Sequence, residues 1–163
     1  MSRNHAELLH EAFLIAQTST DLSTQNGAIV VNPGGEVIGS GANVFPNNVE
    51  TTIERLQRPQ KYLFVVHAES NAILNAAKKG LTTEGATLYS PWAACASCAH
   101  AIIQSGIVSV VAHKESMDRN HSKWNESIEA ALQMFKEAGV EYLLVSAHFP
   151  DILVRFNGES WKP

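Results

Sequence analysis

Apolar positions recur at helical spacing over Asn4–Thr18, where Leu8, Leu9, Ala12, Phe13 and Ala16 make one face. That spacing predicts an amphipathic helix, with Asn4 or Ser2 as its cap. Asp21–Asn26 is polar and turn-rich. Gly27–Val31 and Glu36–Ser40 read as two strands around the hairpin turn Asn32-Pro33-Gly34-Gly35. Asn43–Gln60 has few large apolar residues and reads as a long ordered loop, a kind of segment that usually serves function. From His67 to Lys79 the period is helical again, with a small-residue face of Ala68, Ala72, Ile73, Ala76 and Ala77 and a stop at Gly80. Ala86–Ser90 predicts a strand, Cys95–Gln104 a helix, and Val108–Ala112 a strand buried on both faces. Asn125–Ala138 predicts a helix with Ile128, Ala131, Leu132 and Phe135 inward, ended by Gly139, and Glu141–Ser146 predicts a last core strand. In the tail, 147–163, the segment Ile152–Phe156 suggests an edge strand. A hairpin followed by strand–helix alternation implies a mixed sheet covered by helices, an α/β layered domain.

Length and composition narrow this picture. A chain of 163 residues, 45% apolar, is enough for one domain with a real core, here 1–163. No apolar run approaches the roughly 20 residues of a membrane helix, so no membrane partner is expected. The start, Met1-Ser2-Arg3-Asn4-His5, lacks the basic head and apolar stretch of a secretory signal, which points to a reducing compartment such as the cytoplasm. The formal net charge is −4 and the basic residues are scattered, which disfavours a long nucleic acid as partner. Two small basic clusters remain, Arg55/Arg58/Lys61 and Lys114/Arg119/Lys123, either of which could hold a single phosphate.

The candidate chemistry lies at the starts of two predicted helices. One opens with His67-Ala68-Glu69 and the other with Cys95-Ala96-Ser97-Cys98, and 28 residues separate His67 from Cys95. That interval holds one helix, a loop and a strand, which would bring the two helix starts side by side. A catalytic zinc needs three protein ligands and one open position, and His67, Cys95 and Cys98 supply the three. Two thiolates balance the metal charge, and the neutral imidazole leaves enough Lewis acidity to activate water for attack on an amidine carbon. Glu69, two residues after His67, can reach the open position without ligating and can shuttle the proton. A His-x-Glu followed by Cys-x-x-Cys is the arrangement used by zinc nucleobase deaminases. Each half alone has a plainer reading: a packed or capping histidine, and a thioredoxin-like dithiol. His100 reads as a packed or surface residue, and His5, His10, His113, His121 and His148 lack ligand-like spacing.

Residues 61–74, KYLFVVHAESNAIL, and 95–107, CASCAHAIIQSGI, resemble the two zinc-binding motifs of the cytidine and deoxycytidylate deaminase family. Ser23–Ala28 and Gly41–Asn47 are similar to its first strand and to its substrate loop. The resemblance spans roughly residues 6–146. It implies a three-layer α/β/α fold with a five-stranded mixed sheet, and a homo-oligomer. It implies zinc as the cofactor, on His67, Cys95 and Cys98, with Glu69 as proton shuttle. It also implies that Asn43 hydrogen-bonds the sugar or base and that the Ala68 N–H meets the pyrimidine carbonyl. Phe45 and Trp92 flank this site and could line a base pocket by stacking; isolated aromatics are more often core or rim. The chain departs from the family at Ala94, where proline is usual, at Ser97, and in a longer 114–125 segment expected near the pocket mouth. The expected reaction is deamination of a free pyrimidine nucleotide, dCMP to dUMP, with cytidine, CMP or a modified pyrimidine as alternative substrates. A nucleic-acid base deaminase would want a more basic surface, and a non-catalytic binding module need not keep Glu69.

Overall fold

The computed structural model describes residues 3–119 and 124–163. The chain opens on helix α1, His5–Ala16. Its cap is a capping box: the Asn4 side chain accepts from the Glu7 N–H, and the Glu7 carboxylate accepts from the Asn4 N–H, each at 2.9 Å. The other candidate cap, Ser2, lies outside the described residues. Strands β1, Gly27–Val31, and β2, Val37–Ala42, form the expected antiparallel hairpin. Strand β3, Thr87–Ser90, pairs antiparallel with β1, while β4, Ser109–His113, and β5, Glu141–Val145, follow in parallel. The mixed five-stranded sheet has the order β2-β1-β3-β4-β5.

Two apolar clusters divide the sheet faces. On one side α4, Ala68–Lys78, α5, Ala96–Gln104, and α7, Asn125–Ala138, pack on Ala28, Val30, Leu88 and Val110. On the other side α1 and the tail residues Phe149, Ile152 and Val154 pack on Ile29, Val31, Tyr89 and Val111. Alternation along the strands sends neighbouring residues to opposite layers, which gives the expected three-layer α/β/α arrangement. The small residues of α4 have a reason in β2. A Cβ on Gly39 would stand 2.3 Å from the Ala72 carbonyl oxygen, and one on Gly41 2.7 Å from the Ala72 nitrogen. The glycines let the helix that follows His67 sit directly on the sheet. Ala77, read as part of that face, instead points to solvent. Gly139 ends α7 in the left-handed region, φ 72°.

Two expectations change. The 43–60 segment is not loop throughout: Thr52 caps a one-turn helix α2, Ile53–Leu56, and a second turn α3, Lys61–Phe64, follows. A four-residue helix is too short to show an apolar stripe, and α2 buries no residue. The tail adds no strand to the main sheet. Strand β6, Val154–Phe156, pairs with β7, Glu159–Trp161, in a separate two-stranded ribbon, and Ile152 is core outside it. That ribbon is stitched to residues 23–25 by four bonds. Gln25 N–H donates to Arg155 C=O, and Arg155 N–H to the Gln25 side chain. Asn157 N–H donates to Thr24 Oγ1, and Gly158 N–H to Ser23 C=O. The 114–125 segment begins as a short helix α6, Lys114–Asp118. No helix among the described residues is long and apolar enough to cross a membrane.

Candidate active site

His67 and Cys95 occupy equivalent positions. Each is the N-cap of its helix, α4 and α5, with extended backbone (φ −71°, ψ 152° and φ −79°, ψ 170°). Neither side chain caps its own helix, so both are free to turn toward the space between the two helix starts. Cys98 enters the same space from the first turn of α5 and is buried. The α5 start is fixed from outside by α7, because the Ser127 hydroxyl accepts the Ala96 N–H at 2.9 Å.

His67 Nδ1 lies 3.4 Å from each sulfur, and the three donor atoms fall within 4.8 Å of one another. Zinc bonds of about 2.0 Å to nitrogen and about 2.3 Å to sulfur, at a tetrahedral angle, separate N and S by about 3.5 Å. The donor set therefore has the chemistry and the spacing of a three-ligand zinc site. Hydroxyls support both sulfurs, Ser97 Oγ at 3.1 Å from Cys95 Sγ and Ser70 Oγ at 3.8 Å from Cys98 Sγ. Ser97, a departure from the family pattern, thus still meets a ligand. The hydrogen bond from Cys98 pulls the Cys95 thiol down to about 3 despite burial, and the same bond pushes Cys98 up. The bond to Cys95 raises His67 to about 9, against burial. One thiolate and one imidazolium are already favoured here, and a divalent cation would displace the remaining protons. Glu69 is buried at 2% exposure, and burial raises its carboxyl to about 7, with His67 pulling the other way.

These groups border a cleft of about 940 Å³, counting the part open to solvent. His67, Ala68, Glu69 and Cys95 line it, as do Asn43 and Trp92. The Asn43 amide bridges the loop before β1: its oxygen accepts from Asn26 N–H at 2.7 Å and its nitrogen donates to Thr24 C=O at 2.8 Å. Trp92 donates its indole N–H to Gln25 C=O at 3.1 Å and stacks on Phe156, centroids 4.6 Å apart. Phe45 is not in the lining; it is buried and stacks on Phe64. Ala68 is the first residue of α4, where a backbone N–H has no partner within the helix. His100 is exposed, and His113 is fully buried against Ser116 and the Ala147 carbonyl, away from this cleft. His121 lies outside the described residues.

Other lining residues carry no sequence motif. Asp21 and Lys61 form a buried ion pair, the ammonium 2.9 and 2.8 Å from the two carboxylate oxygens. Asp21 also accepts the N–H groups of Ser23 and Thr24. That half was readable, since Asp21 opens a polar, turn-rich run, the usual setting of an Asx-turn to the N–H two residues on. The partner 40 residues away was not. Phe156 and Asn157 reach the cleft from the β6–β7 ribbon, and Trp124 and Ile128 from the start of α7. The two basic clusters separate. Arg55 bonds the Glu50 carbonyl and lies over Phe64, outside the lining. Lys61 is neutralised by Asp21, Lys114 pairs with Asp118, and Arg119 lies over Trp161 in a different concavity. Lys123 is outside the described residues. Arg58 lines the cleft.

Comparison with known proteins agrees with this geometry. Residues 2–114 match the model of the cytidine and deoxycytidylate deaminase zinc-binding region. The chain is 34% identical to deoxycytidylate deaminase of Mus musculus over 158 residues, covering 93% of this chain and 85% of the mouse protein. It is 29% identical over 192 residues to deoxycytidylate deaminase of Enterobacteria phage T2, covering 93% of this chain and 97% of the phage protein. Among solved structures, dCMP deaminase from the cyanophage S-TIM5 in complex with dCMP and dUMP superposes with a TM-score of 0.65 at 25% identity. That match covers 84% of this chain and 93% of the cyanophage one.

Proposed function

Because the chain belongs to the cytidine and deoxycytidylate deaminase family, we propose that it converts dCMP and water to dUMP and ammonia. The observation that carries this reading is the cluster of His67, Cys95 and Cys98 at the base of a cleft that His67, Cys95 and the buried Glu69 line. Zinc, when bound by those three side chains, supplies the Lewis acidity that lowers the pKa of a coordinated water. Glu69 takes the proton that water gives up and delivers it to the ring nitrogen N3 of the pyrimidine. Once the water oxygen has bonded to C4, the same carboxyl passes that oxygen's remaining proton to the amine, the C4–N bond breaks, and ammonia leaves with the C4 carbonyl formed. A carboxyl whose burial holds it near neutrality can both accept and return a proton at working pH. In this reading the Ala68 N–H meets the pyrimidine carbonyl, and the Asn43 amide, with the one N–H and one lone pair left by Thr24 and Asn26, meets the sugar or base. Trp92 and Phe156 wall the base.

The same reading takes the protein to be a homo-oligomer. Ile53 and Leu63, 69% and 80% exposed on α2 and α3, are the apolar surface that supports it, and sedimentation would measure its size. Two free thiols used as metal ligands suit a reducing compartment such as the cytoplasm.

A substrate panel of dCMP, CMP, dCTP, deoxycytidine and cytidine, scored by ammonia release, tests the reaction. The highest kcat/KM is expected for dCMP. Equal values for dCMP and deoxycytidine would replace the nucleotide reading with a nucleoside one on the same chemistry. Zinc analysis tests the donor set: about one zinc per chain is expected in the wild type, and Cys95→Ala or Cys98→Ala is expected to lose it. Stoichiometric zinc in the double variant would reject these ligands.

A further inference from the structure

We infer that Arg58 is the residue that selects a 5′-monophosphate over a bare 5′-hydroxyl, and that the C-terminal ribbon positions it. The inference rests on the nucleotide reading above and goes beyond it by naming the discriminating group. The cleft is lined by two cations and two carboxylates, Arg58, Lys61, Asp21 and Glu69. Lys61 is taken up by Asp21 through both oxygens. Arg58 has no ion pair among the described residues. Two neutral oxygens hold it: Nη2 donates to Ser23 Oγ at 2.8 Å and Nη1 to Asn157 Oδ1 at 3.4 Å. A guanidinium has five N–H donors in a planar fork, so such tethers orient it while leaving donors for two oxygens of one phosphate.

Burial runs the right way along the cleft. Glu69 and Cys95 are buried at the reacting end, whereas Arg58 and Asn157 are exposed at the mouth. A pyrimidine nucleotide with its amine at the metal ligands extends its sugar and phosphate toward the mouth. There the dianion keeps part of its hydration, so a single cation can hold it without a large desolvation cost. Asn157 belongs to the turn of the β6–β7 ribbon and is itself fixed by its N–H to Thr24 Oγ1. The family match ends at residue 114, so this tether comes from chain outside the shared zinc-binding region. Arg58 and its Ser23 tether lie inside that region, and the second tether, Asn157, lies outside it.

The experiment compares kcat/KM for dCMP and deoxycytidine in wild type, Arg58→Gln, Arg58→Lys and Asn157→Ala, with the melting temperature of each. Arg58→Gln is expected to cut the dCMP-over-deoxycytidine preference about tenfold to a hundredfold, mainly through KM for dCMP. Arg58→Lys should restore part of it, because the charge returns without the fork. Asn157→Ala should shift the preference in the same direction by a smaller factor. A wild-type preference that survives Arg58→Gln, or an equal loss on both substrates, overturns the role of Arg58 while leaving the nucleotide reading intact. A wild type with no preference for dCMP overturns the nucleotide reading itself.

Discussion

Glu69 stands two residues from one metal donor and is shut away from water, so its protonation depends on whether the chain is folded. Its folded pKa, about 7, lies above the ordinary 4.5. The stability it contributes is therefore fully present below about pH 4.5 and is lost as pH rises through about 7. Glutamine cannot ionise. In chelator-treated protein, the stability of Glu69→Gln relative to wild type should thus climb between about pH 4.5 and 7, by at most about 1.4 kcal/mol per pH unit. Denaturant melts at pH 5 and pH 7.5 measure it, and a constant difference would remove the burial argument. With zinc restored, the same variant should keep its metal and lose turnover by about 10²–10⁴-fold. Wild-type turnover in Glu69→Gln would require another base. At this scale the sequence exposes what is locally spaced. His67 and Glu69, or Cys95 and Cys98, announce themselves at intervals of two and three. Lys61 looked like a free cation because the carboxylate that occupies it lies 40 residues away, and no periodicity links the two.

Elements place those residues through close packing. Helix α4 can carry His67 and Glu69 to the cleft only because β2 offers Gly39 and Gly41 beneath Ala72. Gly39→Ala would put a methyl 2.3 Å from a backbone oxygen, which neither partner can rotate away from. Overpacking of this kind costs about 1–3 kcal/mol, or roughly 2–12 °C in melting temperature for a chain of this size. The shift displaces α4 relative to α5, so weaker zinc retention against a chelator should accompany it. A variant with wild-type melting and zinc affinity would show that α4 tolerates the gap. The long elements were legible because each repeats its period several times; α1, α4, α5, α7 and all five core strands appear within a few residues of their expected bounds. Helices α2 and α3 were not, since one turn holds too few positions for a period. The tail ribbon, with three-residue strands, looked like an edge of the main sheet for the same reason.

Across the molecule, the charge balance argues against polymeric substrates. The net charge is −4, and of the two cations in the cleft one is neutralised internally. Excess single-stranded DNA containing cytosine is expected neither to release ammonia nor to slow dCMP turnover at moderate salt. Competition by the oligonucleotide would reveal a basic path that these residues do not form. The three-layer plan was readable from element order, and the contribution of the 147–163 tail to the cleft was not, because it depends on how the tail returns. That return sets an order of events during synthesis. The metal donors are complete once Cys98 has been translated, whereas the Phe156–Asn157 wall arrives about sixty residues later. Until then the nascent chain carries its metal donors without the mouth that sorts substrates, and before that without α7, whose Ser127 fixes the start of α5. Translation itself thus delays selectivity until the final ribbon has folded back onto residues 23–25.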